Sequence, residues 1–175
     1  MQDNEFVHLP DVLELMLDTV CVVDRDGNFV FVSAAFESMF GYAPSEVIGK
    51  PMDIMIFPED VEKTHQVVDS LLEGELKPRF ENRWVHKSGR VVHVLWSARW
   101  SEKHQYRIAV AHDITERKKL EARLERMASY DSLTDLPNRS LFLDRLQTGL
   151  SRARRESSIL SLLFIDLDCF KDIND

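Results

Sequence analysis

Between Val20 and Asp113 the apolar residues fall into short alternating runs separated by turn signals, the pattern of strands with one dry face. Val20–Asp24 and Phe29–Val32 flank DRDGN, whose Asp26 and Gly27 predict a tight hairpin. Ser33 stands where it can cap a helix over AAFESMFGY, which Gly41 closes. Gly49, Pro51 and Pro58 then break SEVIGKPMDIMIFPED into short helical turns. A longer helix is expected from Pro58 to Gly74, with Glu59 and Asp60 in its first turn and Val61, His65, Val68 and Leu72 on one face. Three strands follow, Arg79–His86, Val91–Trp100 and Tyr106–Asp113, joined by turns at HKSGR and SEKH. In the middle one Val92, Val94, Trp96, Ala98 and Trp100 point one way and His93, Ser97 and Arg99 the other, with Phe80 and Trp84 on the matching side of the strand before. The pattern predicts an α+β domain over residues 11–114, in which five antiparallel strands lay an aromatic face against short helices and leave room for a cavity. A short amphipathic helix around Asp11–Leu17 opens it.

The pattern changes at Thr115. From there to about Ser129 the chain lacks Gly and Pro and consists of good helix formers, with the Thr115 hydroxyl placed to cap and Glu116 at the positive end of the dipole. Such a helix is roughly 22 Å long. Its apolar positions after Ile114 are Leu120, Leu124 and Met127, spaced four then three, and nearly all the rest are charged. So narrow a seam predicts a two-stranded coiled coil and a homodimer, against the alternative of a solvated linker helix. The signalling helix is placed at 115–130 and a second domain from 131 to the end.

In that last segment a turn at Pro137 and Asn138 precedes an amphipathic helix with Leu141, Phe142, Leu146 and Leu150 inward, and ILSLLFIDLD reads as a strand. Its tail sets Asp166 and Asp168 two apart, so that both carboxylates project to one side of a strand end, where hard oxygen ligands suit Mg2+ and a nucleotide phosphate; a solvated strand end is the plainer alternative.

Composition narrows the function classes. The chain has 175 residues, 44% hydrophobic and 30% charged, enough for one full core and part of another. A net charge of −8, with the clusters Arg117–Lys119 and Arg152–Arg155 interleaved with Glu on helices, argues against nucleic-acid or membrane binding. Cys21 and Cys169 are too few and too far apart for a disulfide framework or a zinc site, which implies a reducing compartment. No signal-peptide pattern or membrane span is evident, and a cytoplasmic protein is expected.

The order of these elements, with GYAPSEVIGKP after the early helices and DIT at the end of the last strand, resembles the PAS sensor domain over roughly Leu13–Thr115. The resemblance implies a ligand pocket between sheet and helices, bordered by the candidates His65, Phe80, Asn82, Trp84 and Trp96, and a signal leaving through Asp113 and Thr115 into Leu120, Leu124 and Met127. It also implies that Asp113 ties the last strand to the outgoing helix by a salt bridge. The flavin photoreceptor subclass needs a cysteine where KPMDIMIFP has none. Haem-binding members carry their iron-ligating histidine near the position of His65, but the Arg or Met used on the other side of the iron has no match, since counting back from Gly89 reaches Phe80 and Pro78. The ligand is left unnamed, with Asn82 placed to orient a small molecule.

DSLTDLPNR followed by FIDLDCFKDIND resembles the entrance to a GGDEF domain, which in diguanylate cyclases condenses two GTP into cyclic di-GMP. By motif position the resemblance implies Asp166 and the Leu167 carbonyl as Mg2+ ligands, Lys171 on phosphate and Asn174 on guanine. The sequence ends at Asp175, before the signature loop, so these residues alone are not expected to turn over GTP. The leading expectation is a PAS sensor and dimerisation module regulating an attached cyclase domain. The competing one is a haem- or small-ligand-binding sensor, or a protein-interaction module, joined to a non-catalytic GGDEF domain. A sensor histidine kinase would need a phosphoaccepting histidine between Thr115 and Arg139, and there is none.

Overall fold

The structure is a computed structural model that describes residues 16–74, 79–166 and 168. The helix expected around Asp11–Leu17 lies outside them except for Met16 and Leu17, which are not helical. The chain divides between Leu120 and Glu121 into two compact units.

In the first unit β1 (Thr19–Asp24) and β2 (Phe29–Val32) form the expected hairpin. Asp24 holds its turn by accepting the N–H of Asp26 at 3.0 Å, the N–H of Asn28 at 2.8 Å and the Asn28 side-chain amide at 3.2 Å. Helices α1 (Ala35–Phe40) and α2 (Pro44–Val47), two 3-10 turns (Met52–Met55 and Pro58–Asp60) and α3 (Val61–Leu72) follow. Then come β3 (Phe80–Val85), β4 (Val91–Ser101) and β5 (Tyr106–Asp113), all antiparallel to their neighbours. The strand order is β2-β1-β5-β4-β3, so β5 closes the centre of the sheet and the chain leaves from there.

The alternation in β4 sorts as the sequence suggests: Val92, Val94 and Trp96 are buried, while Ser97 and Arg99 are exposed. Opposite them on β3, Phe80, Asn82 and Trp84 face the same side, paired with Trp96, Val94 and Val92. Trp84 packs its ring 4.9 Å from Trp96, 5.1 Å from Phe40 and 6.2 Å from Phe29, which joins the sheet to the helices. Gly41 ends α1 at φ 78°, and a Cβ there would lie 2.5 Å from His86 Nε2, so both the left-handed turn and the close approach call for glycine. Ser33 does not cap α1 as expected. Its buried hydroxyl accepts the Val20 N–H at 3.0 Å, because the hairpin ladder ends beside it and a buried donor needs a partner more than an exposed helix end does.

The 3-10 turns are fastened to β3 by Arg83. Its Nε and Nη2 reach the two carboxylate oxygens of Asp60 at 3.0 and 2.7 Å, its backbone N–H donates to Asp60 at 2.7 Å, and its guanidinium lies 4.2 Å from the centre of the Phe57 ring. Hydrogen bonds from Arg83 hold the Asp60 carboxyl below its ordinary range. A carboxyl depressed in the folded state adds stability that is present above its unfolded value, about 3.9, and is lost as pH falls through the folded one. Asp60→Asn is expected to lower the neutral-pH Tm by on the order of 5 °C and to weaken the acid dependence of the melt below about pH 4, as followed by circular dichroism.

The connector helix α4 (Thr115–Ser129) has the expected bounds and runs out of β5 into the second unit. There the DSLTDLPNR stretch forms a knot of local bonds. Asp131 accepts from the Thr134 N–H at 2.9 Å and the Thr134 hydroxyl at 2.8 Å, and Arg126 pairs with Asp135. Asn138 caps α5 (Arg139–Glu156) by accepting the Leu141 N–H at 3.0 Å, and its amide donates back to Ala128 O at 2.8 Å. No residue of α5 is buried: Leu141 and Leu146 are half-buried and Phe142 and Leu150 exposed. The strand expected over ILSLLFIDLD is not formed among its described residues. Residues 159–166 pair with no other strand among the described residues and are exposed, because an apolar strand needs a sheet to complete its backbone bonds.

Candidate functional site

A cavity of about 50 Å³ lies between α3 and the face of the sheet that it covers. Phe80, Asn82, Trp84 and Trp96 all line it, as do Thr64, Val67, Val68 and Leu71 of α3. Its polar framework is a relay across the fold. Trp96 Nε1 donates to Asn82 Oδ1 at 2.8 Å, Asn82 Nδ2 donates to Thr64 Oγ1 at 2.9 Å, and Thr64 Oγ1 donates to Asp60 O at 2.6 Å. Asn82 and Thr64 are both buried, so each bond satisfies a group that water does not reach and ties α3 to β3 and β4.

His65 lies elsewhere. The face of α3 turned to the sheet carries Thr64, Val68 and Leu71, one residue out of phase with the face expected from His65 and Leu72. The helix rotates that way because Thr64 finds polar partners on both sides, whereas His65 reaches outward and bonds both carboxylate oxygens of Asp53 at 2.9 Å. Its side chain is 49% exposed. The imidazole is therefore not on the cavity wall, so His65 does not stand where a ligand to an iron in that cavity would.

Arg107 is a cavity residue that no motif in the sequence marks. It is the second residue of β5, and its side chain turns into the cavity and is 6% exposed. Its Nη2 donates to the thioether of Met52 at 2.8 Å, and no carboxylate forms an ion pair with it among the described residues. Cys21, on the neighbouring strand, also lines the cavity, and burial pushes its thiol up to about 12 against the opposing pull of Arg107, so it stays neutral. Burial also draws Arg107 itself below its ordinary value.

At the exit from the sheet, Thr115 is buried and its hydroxyl accepts the His93 N–H at 2.9 Å instead of capping its own helix. Asp113 takes the capping part by accepting the Thr115 N–H at 2.8 Å. The ion pairs at this junction come from Glu81 on β3, which meets Arg117 and Lys118 each at 2.7 Å. Those two bonds hold the Glu81 carboxyl below its ordinary range. Past the junction Leu120, Leu124 and Met127 are 58%, 66% and 63% exposed.

In the second unit Asp166 and Asp168 are exposed, and Leu167, Lys171 and Asn174 lie outside the described residues. No group of three or more His, Cys, Asp or Glu side chains suited to a metal ion gathers among the described residues, so they do not by themselves build a site for Mg2+. None of the helices formed by the described residues is long and apolar enough to cross a membrane.

Comparison with known proteins agrees with this arrangement. The model of the PAS fold matches residues 8–114, and that of the diguanylate cyclase GGDEF domain matches residues 128–175. The diguanylate cyclase DgcM of Escherichia coli K12 is 34% identical over 157 residues, which are 86% of this chain and 37% of DgcM. The chain thus spans little more than a third of that relative's length. Among solved structures, the PAS domain of a Colwellia psychrerythraea protein superposes with a TM-score of 0.53 at 25% identity, covering 60% of this chain and 92% of that one. The PAS domain of the Cronobacter turicensis quorum-sensing receptor RpfR, in complex with C12:0, does so with a TM-score of 0.52 at 19% identity, covering 57% and 96%, a likeness of fold. With its five-stranded antiparallel sheet, the helices that cover it and the helix that leaves its central strand, the chain belongs to the PAS family and carries the start of a GGDEF domain behind it.

Proposed function

We propose that the chain is the sensor and dimerisation part of a cyclic di-GMP signalling protein, in which PAS residues 11–114 act through helix residues 115–130 on the GGDEF domain that begins at residue 131. The observation that carries this reading is the continuity of α4. It is one helix from Thr115 to Ser129, strapped to the sheet at its first turn by Thr115, Arg117 and Lys118 and leading directly into the DSLTDLPNR elbow. A shift in the sheet around the cavity reaches Glu81 and His93, which hold that helix, through the strands on which they lie. In the complete GGDEF domain Asp166 and the Leu167 carbonyl serve Mg2+, Lys171 the phosphates and Asn174 the guanine of GTP.

Two such domains must face one another to join two GTP, which suits a parallel α4 pair with Leu120, Leu124 and Met127 at its seam. Sedimentation of the 175-residue chain is expected to show a homodimer that Leu124→Glu dissociates, since the change sets like charges across an apolar seam. In a protein with the complete cyclase domain, the same change is expected to remove most cyclic di-GMP synthesis. A monomeric chain, or a Leu124→Glu protein as active as its parent, would reject the dimer mechanism.

A further inference from the structure

Among the described residues, the PAS cavity holds a positive charge that no anionic group in it answers. Arg107 has five N–H donors on a group that stays protonated, and the contact it makes is with the Met52 thioether, a weak acceptor. Cys21 beside it is neutral. Asp53, the carboxylate that attracts it from a distance, is engaged by His65 on the outside. Asn82 and Thr64 are already engaged, since they bond Trp96, each other and the Asp60 carbonyl, and Trp84 Nε1, unpartnered among the described residues, is a donor that offers a cation nothing. A cation that is 6% exposed and has no paired anion among the described residues is unfavourable in an apolar setting, and an anion entering from solvent relieves it.

We infer that this cavity binds a small monocarboxylate with an apolar body, and that the Arg107 guanidinium receives the carboxylate. One cation matches one negative charge, and the planar fork of a guanidinium matches the two oxygens of a carboxylate. A phosphate would bring a second charge with no second cation to meet it. The remaining walls, among them Val23, Val68, Leu71, Phe80 and Ala98, are apolar and suit an aliphatic chain of a few carbons. At about 50 Å³ the space is far too small for a nucleotide or a porphyrin. The inference rests on the reading of this domain as a ligand sensor, and it names the ligand's chemistry.

The test is direct binding to the 175-residue chain, read by emission of Trp84 and Trp96 on the cavity wall and by the shift in Tm. The probes are the short-chain carboxylates acetate, propanoate and butanoate, each set against its own amide. At least one carboxylate is expected to bind saturably, roughly 10- to 100-fold more tightly than its amide, as charged hydrogen bonds give. Arg107→Met is expected to abolish that preference without lowering the Tm of the ligand-free protein, because it removes an unpaired buried charge while keeping an apolar side chain. Absence of binding by every carboxylate, or equal binding of acid and amide, would overturn the inference, and so would a ligand-free Arg107→Met chain that is less stable when the parent shows no carboxylate preference. Carboxylate binding that leaves cyclic di-GMP output of the complete protein unchanged would uphold the site and reject the sensor role, so the two readings fail separately.

Discussion

Trp84→Ala is expected to cost the PAS domain about 3–5 kcal/mol, enough to leave much of it unfolded at growth temperature. The side chain is 2% exposed and sits between the sheet and the helices, with Phe29 of β2, Phe40 of α1 and Trp96 of β4 around it. Truncation removes the ring contacts and opens a void that none of these can fill, because each is itself fixed by neighbours on its own element. The backbone of Trp84 also bridges to Ile56, so the loss extends to the 3-10 turns ahead of α3. Trp84 Nε1 is buried with no hydrogen-bond partner among the described residues. Trp84→Phe, which keeps most of the ring and removes that orphaned donor, is therefore expected to be far milder than alanine. Thermal melts of both variants check the pair, and equal losses would mean that the indole N–H has a partner after all.

The sheet was legible in the sequence because its signals are local. DRDGN sets the first hairpin, strict alternation in β4 chooses the buried face, and Gly41 marks the end of α1. The cavity wall on β3 and β4 follows from the same alternation, which is why Phe80, Asn82, Trp84 and Trp96 are found together. The phase of α3 was not legible. Val61, His65, Val68 and Leu72 and the observed Thr64, Val68 and Leu71 both have helical spacing, and only tertiary partners, Asn82 for Thr64 and Asp53 for His65, decide between them. Arg107 was missed for a related reason. A charged residue near a strand end reads as solvated, and nothing local shows that β5 lies at the centre of the sheet, with α3 on one side and strands on both edges. Glu81 likewise looks like any outward-facing charge on a strand until Arg117 and Lys118 come to meet it from a helix 36 and 37 residues further on. The aspartate expected to make that ion pair instead caps the helix, accepting the Thr115 N–H.

In a protein that joins this chain to a complete GGDEF domain, inserting seven residues after Arg123 is expected to preserve regulated cyclic di-GMP synthesis, whereas inserting four locks it on or off. The insertion point lies beyond Thr115, Arg117 and Lys118, so the strapping of α4 to the PAS sheet is unchanged in both variants. What changes is the angular phase of everything that follows. At about 100° per residue, seven residues return the helix to within about 20° of its starting phase and repeat the seam, while four leave it about 40° ahead and split Leu120 from Leu124 and Met127 in the apolar register. Both insertions lengthen the helix, by about 10 Å and about 6 Å, so a response to length alone would make the seven-residue variant the worse of the two. A response to phase makes it the better one. The measurement is cyclic di-GMP formed with and without the PAS ligand, alongside sedimentation of each variant. If both variants keep the parent's regulation, α4 is only a tether, and the signal must leave the sheet by a path that does not depend on the rotation of Leu124 and Met127 about the helix axis.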